Sequence, residues 1–380
     1  MPESIPIAVF LSFSGQGGVE RMVLNLVEGL AAAGHRVDLL AVRAGDMEQR
    51  AWPDAVRVHD LGVRHTLLAQ PALTRYLRRV RPCALLCAKD RAIRVAVRAR
   101  AHSGLRCPLV GRLGTNLSAA LGGRGALARW LRLAPMRRIY GQVDTVVAVS
   151  NGVAEDTAKV TGLPPPRIRV VHNPVVTPRL RRQADEVVNH PWFAEGAEPV
   201  ILGAGRLTEQ KDFETLIRAF ATVRKTRFAR LVILGAGRLR GHLERLAGLL
   251  GVDATLDLPG HADTPYPFMT HAAVFVLSAR WEGSPNVLTE ALALGTPVVS
   301  TDCPSGPREL LDGGRYGELV PMGDVPAMAA AIGRVLDGVR PAGSAVEAVR
   351  DYTLEASVRG YLEALDCDDN GSVRTSGRPT

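Results

Sequence analysis

At 380 residues the chain is longer than one ordinary domain and about the length of two. A hydrophobic fraction of 46% beside 22% charged residues excludes a disordered chain, and no apolar run approaches the ~20 residues that span a bilayer. The formal net charge of +9 is unevenly spread, with 16 Lys or Arg in residues 75–139 against one acid, Asp90. Such a patch attracts phosphates or anionic lipid headgroups, or is simply a solvated face of an Arg-rich protein. Aromatic residues are 5% of the chain, which leaves few stacking platforms, so no nucleic-acid partner is expected. Residues 1–18 lack the basic n-region of a signal peptide, and the five cysteines lack framework spacing. Cys83-x3-Cys87 is not a zinc pattern, so reduced thiols and a cytoplasmic location are expected.

In chain order, a strand over 5–12 leads through Gly15-Gln16-Gly17-Gly18-Val19-Glu20 to a helix over 22–33 and a strand over 37–42. This is the opening of a doubly wound sheet. A dinucleotide fingerprint needs a glycine where Glu20 stands. The Gly203-x-Gly205 and Gly235-x-Gly237 patterns fail in the same way, at Thr208 and Arg240, which weighs against a nicotinamide or flavin enzyme. Alternation continues with helices over 71–79 and 91–101 and strands over 84–88 and 108–111. A Gly-, Ser- and Asn-containing loop then covers 112–124. Residues 125–140 read as a basic amphipathic segment carrying Arg137 and Arg138, suited either to a membrane surface or to packing on the sheet. A strand over 145–149, a cap at Ser150-Asn151, a helix over 154–160 and a strand over 168–171 close this half.

Pro174, Pro178, Pro191 and Pro199 break the rhythm, and residues 179–198 read as a linker. Alternation resumes at 200–203 and runs through strands over 229–235, 255–258, 274–278, 297–301 and 317–320. The expected architecture is α/β: two doubly wound Rossmann-like domains facing a cleft, at 1–178 and 199–350. A C-terminal helix at 351–367 and a flexible tail at 368–380 follow. Asp366-x-Asp368 falls at the frayed end and is an accidental match to a metal-binding D-x-D.

The stretch 279–302, ARWEGSPNVLTEALALGTPVVSTD, is a loop, a helix and a strand. Ser284-Pro285 is a helix start signal and Gly295 a stop. Glu282 precedes the helix. Glu290 lies within it, four residues beyond Asn286 and among leucines and alanines, where a carboxylate needs polar partners. The helix N-terminus suits an anion. Carboxylates that grip hydroxyls beside a phosphate-binding helix end point to a nucleotide-sugar site; a capped core helix with a solvated Glu is the plainer alternative. In the loop opening the second half, Arg206 and Lys211 are two cations above the sheet, where open α/β folds bind ligands. Two fixed cations can stabilise a departing diphosphate without a metal, although either alone is as readily a surface residue.

Three further stretches carry a family resemblance: GGVERMVLNLVEGLAAAGHRVDLL, VVAVSNGVAEDTAKVTGLPPPRIRVVHNPV and GRLTEQKDFETLIRAFA. With the E-x7-E pair Glu282–Glu290, continued as TEALALGTPVVSTDCPSGPRELL, the chain resembles the retaining glycosyltransferases of family 4, which have the GT-B fold. The resemblance implies that Glu290 binds the ribose and Glu282 the transferred sugar. Arg206 and Lys211 would hold the diphosphate, helped by Gly17, Gly18, the Gly283-Ser284 turn and the N–H groups of Asn286, Val287 and Leu288. Gly260 and His261 would border the base. The acceptor would lie on the N-terminal half. Many relatives carry a His in the middle of that half; the loop here has none, and Asn116 stands in its place either to position the acceptor or to build the loop. His172 belongs to the hinge.

By this resemblance the activity is transfer of a sugar from a nucleotide-diphosphate donor, a UDP-hexose or UDP-N-acetylhexosamine, with no metal or other cofactor. The acceptor is a glycan precursor, lipid-linked, in cell-surface polysaccharide synthesis, and the Arg-rich half meets an anionic membrane surface. Two alternatives stay open: a nucleotide-sugar epimerase or hydrolase on the same fold, which turns over donor alone, and a non-catalytic nucleotide-sugar-binding protein.

Overall fold

The computed structural model describes residues 5–11, 18–47, 50–119 and 125–366. Gly17 and the expected tail lie outside the described residues. The chain forms two compact units, one of residues 1–174 with 354–380 and one of residues 175–353.

The first unit carries a seven-stranded parallel sheet in the order β3-β2-β1-β4-β5-β6-β7. Its strands are β1 (Ile7–Leu11), β2 (Val37–Ala41), β3 (Val56–Asp60), β4 (Ala84–Ala88), β5 (Leu109–Leu113), β6 (Thr145–Ala148) and β7 (Ile168–Val170). Between them run α1 (Gly18–Ala32), α2 (Gln70–Val80), α3 (Asp90–Ser103), α4 (Ala126–Tyr140) and α5 (Asn151–Thr161). β1 is buried along its whole length because both sheet faces are covered by helices. Its side chains alternate between two cores: Ala8 and Phe10 join Leu40, Leu85 and Ile93, while Ile7, Val9 and Leu11 join Met22, Leu26 and Leu86. Ser150 caps α5 by accepting from Val153 N, as its sequence predicts, and Gly162 ends the helix at φ +71°.

The second unit carries a six-stranded parallel sheet in the order β10-β9-β8-β11-β12-β13. These strands are β8 (Val200–Ala204), β9 (Arg230–Leu234), β10 (Leu256–Gly260), β11 (Val274–Leu277), β12 (Val298–Thr301) and β13 (Glu318–Val320). The helices are α6 (Pro178–Ala184), α7 (Phe213–Val223), α8 (Arg240–Leu249), α9 (Tyr266–His271), α10 (Asn286–Ala293), α11 (Pro307–Leu310), α12 (Val325–Leu336) and α13 (Ala345–Ala348).

The segment expected to be a linker is folded into this second unit. Pro178 starts α6 and Pro191 a single 3₁₀ turn, positions that need no N–H, so these prolines begin helices instead of breaking order. Leu180 is buried, His190 Nε2 lies 2.8 Å from Asp257 Oδ2, and the Arg230 guanidinium stacks 4.7 Å from the Trp192 ring centroid.

The last helix, α14 (Leu354–Leu365), belongs to the first unit and packs on α1. A Cβ on Gly29 of α1 would come within 2.6 Å of Val358, so the glycine sets how closely the two helices approach. No helix among the described residues is long and apolar enough to cross a membrane.

Candidate active site

The loop after β8 rests on glycines that permit close backbone approach. A Cβ on Gly235 would sit 1.9 Å from Gly205 O, and one on Gly237 would sit 2.4 Å from Leu207 O. Gly235, at φ +146°, also donates its N–H to Gly260 O at 2.7 Å. The two G-x-G patterns that fail as dinucleotide fingerprints therefore serve to interlock the loops at the carboxyl ends of β8, β9 and β10. Gly205, at φ +151°, gives the Lys211 stem a bare backbone to lie on, 3.0 Å from a would-be Cβ.

This loop is fastened to the one following β11. Arg280 N donates to Gln210 O at 2.8 Å, Gln210 Nε2 to Trp281 O at 3.0 Å, and Ser278 Oγ to Lys211 O at 2.7 Å. The Asp212 carboxylate, on a residue at φ +46°, pairs with Arg280 at 3.1 Å and accepts from Thr215 Oγ1 at 3.0 Å. Between the two fastened loops Lys211 Nζ lies 2.5 Å from Glu282 Oε1, their side chains only 14% and 9% exposed. Behind the pair, Glu282 N donates to Pro304 O at 3.2 Å, and Thr301 Oγ1 donates to Ala279 O at 2.6 Å. The buried Cys303 thiol is pushed up to about 12, by burial first and then by the Glu282 carboxylate, with Lys211 opposing.

α10 begins one residue later than its sequence suggests. Pro285 is the N-cap, not the first helical residue, and its carbonyl accepts from Leu288 N at 2.9 Å and Thr289 N at 3.1 Å. The Ser284 side chain makes no cap, and its buried Oγ has no hydrogen bond among the described residues. Gly306, at φ +92°, packs on this turn, since a Cβ there would meet Pro285 Cδ at 2.7 Å. Asn286 N is closed onto Ser284 O at 3.0 Å. Of the three N–H groups the resemblance assigns to a diphosphate, that of Val287 is the one without a hydrogen bond among the described residues. Glu290 is 3% exposed, one turn further along α10.

Arg206 is exposed and its side chain has no ion-pair partner among the described residues. Gly260 closes β10 at φ +97°, and His261 beside it is half exposed, 3.6 Å from Asp263. Arg206, Lys211, Gly260, Glu282, Gly283, Ser284 and the start of α10 thus all belong to the loops at the carboxyl ends of the second sheet. Gly18 and Asn116 belong to the first unit. Gly18 opens α1, and Asn116 Oδ1 accepts from Ala119 N at 2.9 Å, tying its own loop. Sequence reading missed Gln210, Asp212, Arg280 and Thr301. Asp212 and Arg280 pair across 68 residues, and spacing along the chain carries no sign of that.

β8 and β11 are the neighbours at which the strand order of the second sheet reverses, so Lys211 and Glu282 flank its switch point. A carboxylate offers paired acceptors to vicinal hydroxyls, and the ammonium and guanidinium offer charge to a phosphate.

Two parallel-sheet Rossmann-like units are the GT-B fold of glycosyltransferases. Residues 16–179 match the profile "Glycosyltransferase Family 4" and residues 198–338 the profile "Glycosyl transferases group 1". The chain belongs to the family-4 glycosyltransferases. It is 29% identical over 363 residues to the lipopolysaccharide core biosynthesis glycosyltransferase LpsE of Rhizobium meliloti, covering 93% of this chain and 97% of that one. A shorter match, 46% over 113 residues, joins 30% of the chain to 28% of an uncharacterized glycosyltransferase of Methanocaldococcus jannaschii. In three dimensions it is similar to the lipopolysaccharide outer core galactosyltransferase WaaB at a TM-score of 0.70, with 21% identity over 95% of this chain and 99% of that one. It is also similar to Anabaena HepE, solved with UDP and glucose, at a TM-score of 0.75, with 17% identity over 95% of this chain and 99% of that one.

Proposed function

We propose that the protein transfers a hexose or N-acetylhexosamine from a UDP-sugar to a lipid-linked glycan precursor in cell-surface polysaccharide synthesis, with retention of anomeric configuration. The observation that carries this reading is the Lys211–Glu282 pair at the switch point, with Arg206 on the same loop as Lys211 and without an ion-pair partner among the described residues. Arg206, Lys211 and the Val287 N–H hold the diphosphate, Glu282 the sugar hydroxyls and Glu290 the ribose. As the C1–O bond to the diphosphate breaks, its electron pair stays on the phosphate oxygen and the two cations absorb the charge. The acceptor oxygen forms its bond to C1 on the same face, and its proton passes to that phosphate oxygen, so no protein base is needed.

The donor and pathway are supported by relatives: LpsE is named for lipopolysaccharide core biosynthesis, and HepE was solved with UDP and glucose. A lipid-linked acceptor is supported by a Campylobacter jejuni relative, 31% identical over 182 residues and covering 48% of each chain, named for transfer to a diphospho-undecaprenol. The exposed Arg137 and Arg138 at the end of α4 are suited to an anionic membrane surface.

The test is a panel of nucleotide sugars screened for thermal stabilisation, followed by transfer onto a membrane-lipid extract and proton NMR of the product's anomeric signal. A UDP-sugar that stabilises the protein and yields a product of unchanged configuration is expected. An inverted product, or donor turnover of equal rate without any acceptor, would overturn the reading.

A further inference from the structure

The two groups that the transferase reading assigns to different parts of the donor are bound to each other. Lys211 Nζ lies 2.5 Å from Glu282 Oε1, and among the described residues each is the other's ion-pair partner. With side chains 14% and 9% exposed, the pair is little screened by solvent and salt. Other charges on the same two loops are engaged elsewhere: Asp212 pairs with Arg280 at 3.1 Å, and Glu209 with Arg238 at 2.8 Å.

Hydrogen bonds hold the backbones that carry the pair. Lys211 N donates to Thr208 O at 3.1 Å, Lys211 O accepts from Ser278 Oγ at 2.7 Å, and Glu282 N donates to Pro304 O at 3.2 Å. What is left to turn is the Lys211 side chain, whose stem lies along Gly205. A diphosphate that engages Lys211 is set beside the Glu282 carboxylate, and like charges at short range repel strongly where solvent is scarce. One ammonium then stands between two anions. Once released from Lys211, the carboxylate is a buried charge that needs new donors. The hydroxyls of an attached sugar supply them, whereas a nucleoside diphosphate that has lost its sugar does not.

We propose that the Lys211–Glu282 pair is a lock that donor binding opens and that closes again after transfer, expelling the spent nucleoside diphosphate. The assignment of the two residues to diphosphate and sugar rests on the transferase reading above. For a residue of a binding site the expected sign is unusual: removing the Glu282 charge tightens the product.

Isothermal titration of UDP into the full chain and its variants tests the lock. Glu282→Gln keeps the size of the side chain and removes its charge, so UDP should bind at least about tenfold tighter, near the lower end of the couplings measured for close charge pairs. The gain should vanish when Lys211→Met is added, because no ammonium is left to unmask. Glu209→Gln removes one exposed negative charge from the same loop, and UDP affinity should change by less than about twofold. Glu282→Asp draws the carboxylate back by one methylene and should fall between the parent and Glu282→Gln, which keeps the test open if the glutamine protein is too unstable to titrate. Stopped-flow displacement of UDP should show the gain in a slower dissociation rate, the step that the closing pair drives. A gain confined to association would overturn the expulsion.

UDP binding that neither Glu282→Gln nor Glu282→Asp tightens overturns the lock alone, because Lys211 then serves carboxylate and phosphate together with its three donors. An equal gain in the Lys211→Met background or in Glu209→Gln also overturns it, by tracing the effect to net charge. No binding of UDP by the parent or by any Glu282 variant overturns the donor reading and the lock together.

Discussion

Lys211 and Glu282 are 71 residues apart in sequence and 2.5 Å apart in space, both largely out of solvent. Removing one partner leaves the other charge buried and unpaired, which costs about 3–5 kcal/mol, whereas replacing both by apolar residues of similar volume is close to neutral. Lys211→Ala should therefore lower the urea midpoint of the second unit, and Lys211→Met with Glu282→Leu should restore most of it. Transfer activity should be lost in both proteins. A double variant that regained stability and activity together would show the pair to be scaffolding alone.

Arg206 separates the two effects more cleanly. Its side chain is exposed and unpaired among the described residues, so Arg206→Ala should change stability by no more than about 0.5 kcal/mol. If the guanidinium stabilises the leaving diphosphate, the same change should lower kcat by about 10²–10³, the scale found when one transition-state donor is removed. Steady-state kinetics beside urea titration reads both numbers from one preparation.

The parallel α/β fold was legible because fully buried strands such as Ile7–Leu11 and Val274–Leu277 are short apolar runs punctuated by glycine. Lys211 and Glu282 stood out in the sequence because each sits in a polar loop that follows such a run, and the fold brings the two together. What stayed hidden depends on approach in space. Residues 179–198 look like a linker because proline is read as a breaker, yet Pro178 and Pro191 occupy helix starts. The glycine pairs at 203–205 and 235–237 look like weak nucleotide fingerprints, yet the first makes room for neighbouring side chains, Lys211 among them, and the second for the backbone of Gly205 and Leu207.

Alkaline pH should weaken the protein through its buried thiols. Burial, then the Glu282 charge, raise Cys303 from 9.0 to about 12, and burial raises Cys107 from 9.0 to about 11. Between the unfolded and folded values the native state holds protons that the unfolded chain has released, so stability falls as pH rises; below pH 9 the contribution is complete. One such thiol accounts for about 1.4 kcal/mol per pH unit inside its window. Urea midpoints at pH 8 and pH 10.5 should therefore differ by less in Cys303→Ala than in the parent protein. An identical slope in the two would mean that Cys303 ionises freely in the folded state.

Two glycine-to-alanine changes in one unit should move stability in opposite directions. At Gly235 the backbone sits at φ +146° and a Cβ would fall 1.9 Å from Gly205 O, a rigid backbone atom. Strain and overpacking together should cost about 2–4 kcal/mol in Gly235→Ala and displace the loop that carries Arg206 and Lys211. Gly248, on the exposed face of α8, has nothing within 4 Å of a would-be Cβ. There the alanine loses less backbone freedom on folding, and Gly248→Ala should gain about 0.5–1 kcal/mol. Urea unfolding of both variants, with UDP-dependent thermal shifts, distinguishes a loop effect from a general one: Gly235→Ala should lose the shift and Gly248→Ala should keep it. Equal shifts in the two proteins would mean that the interlocked glycines do not hold the cations in place.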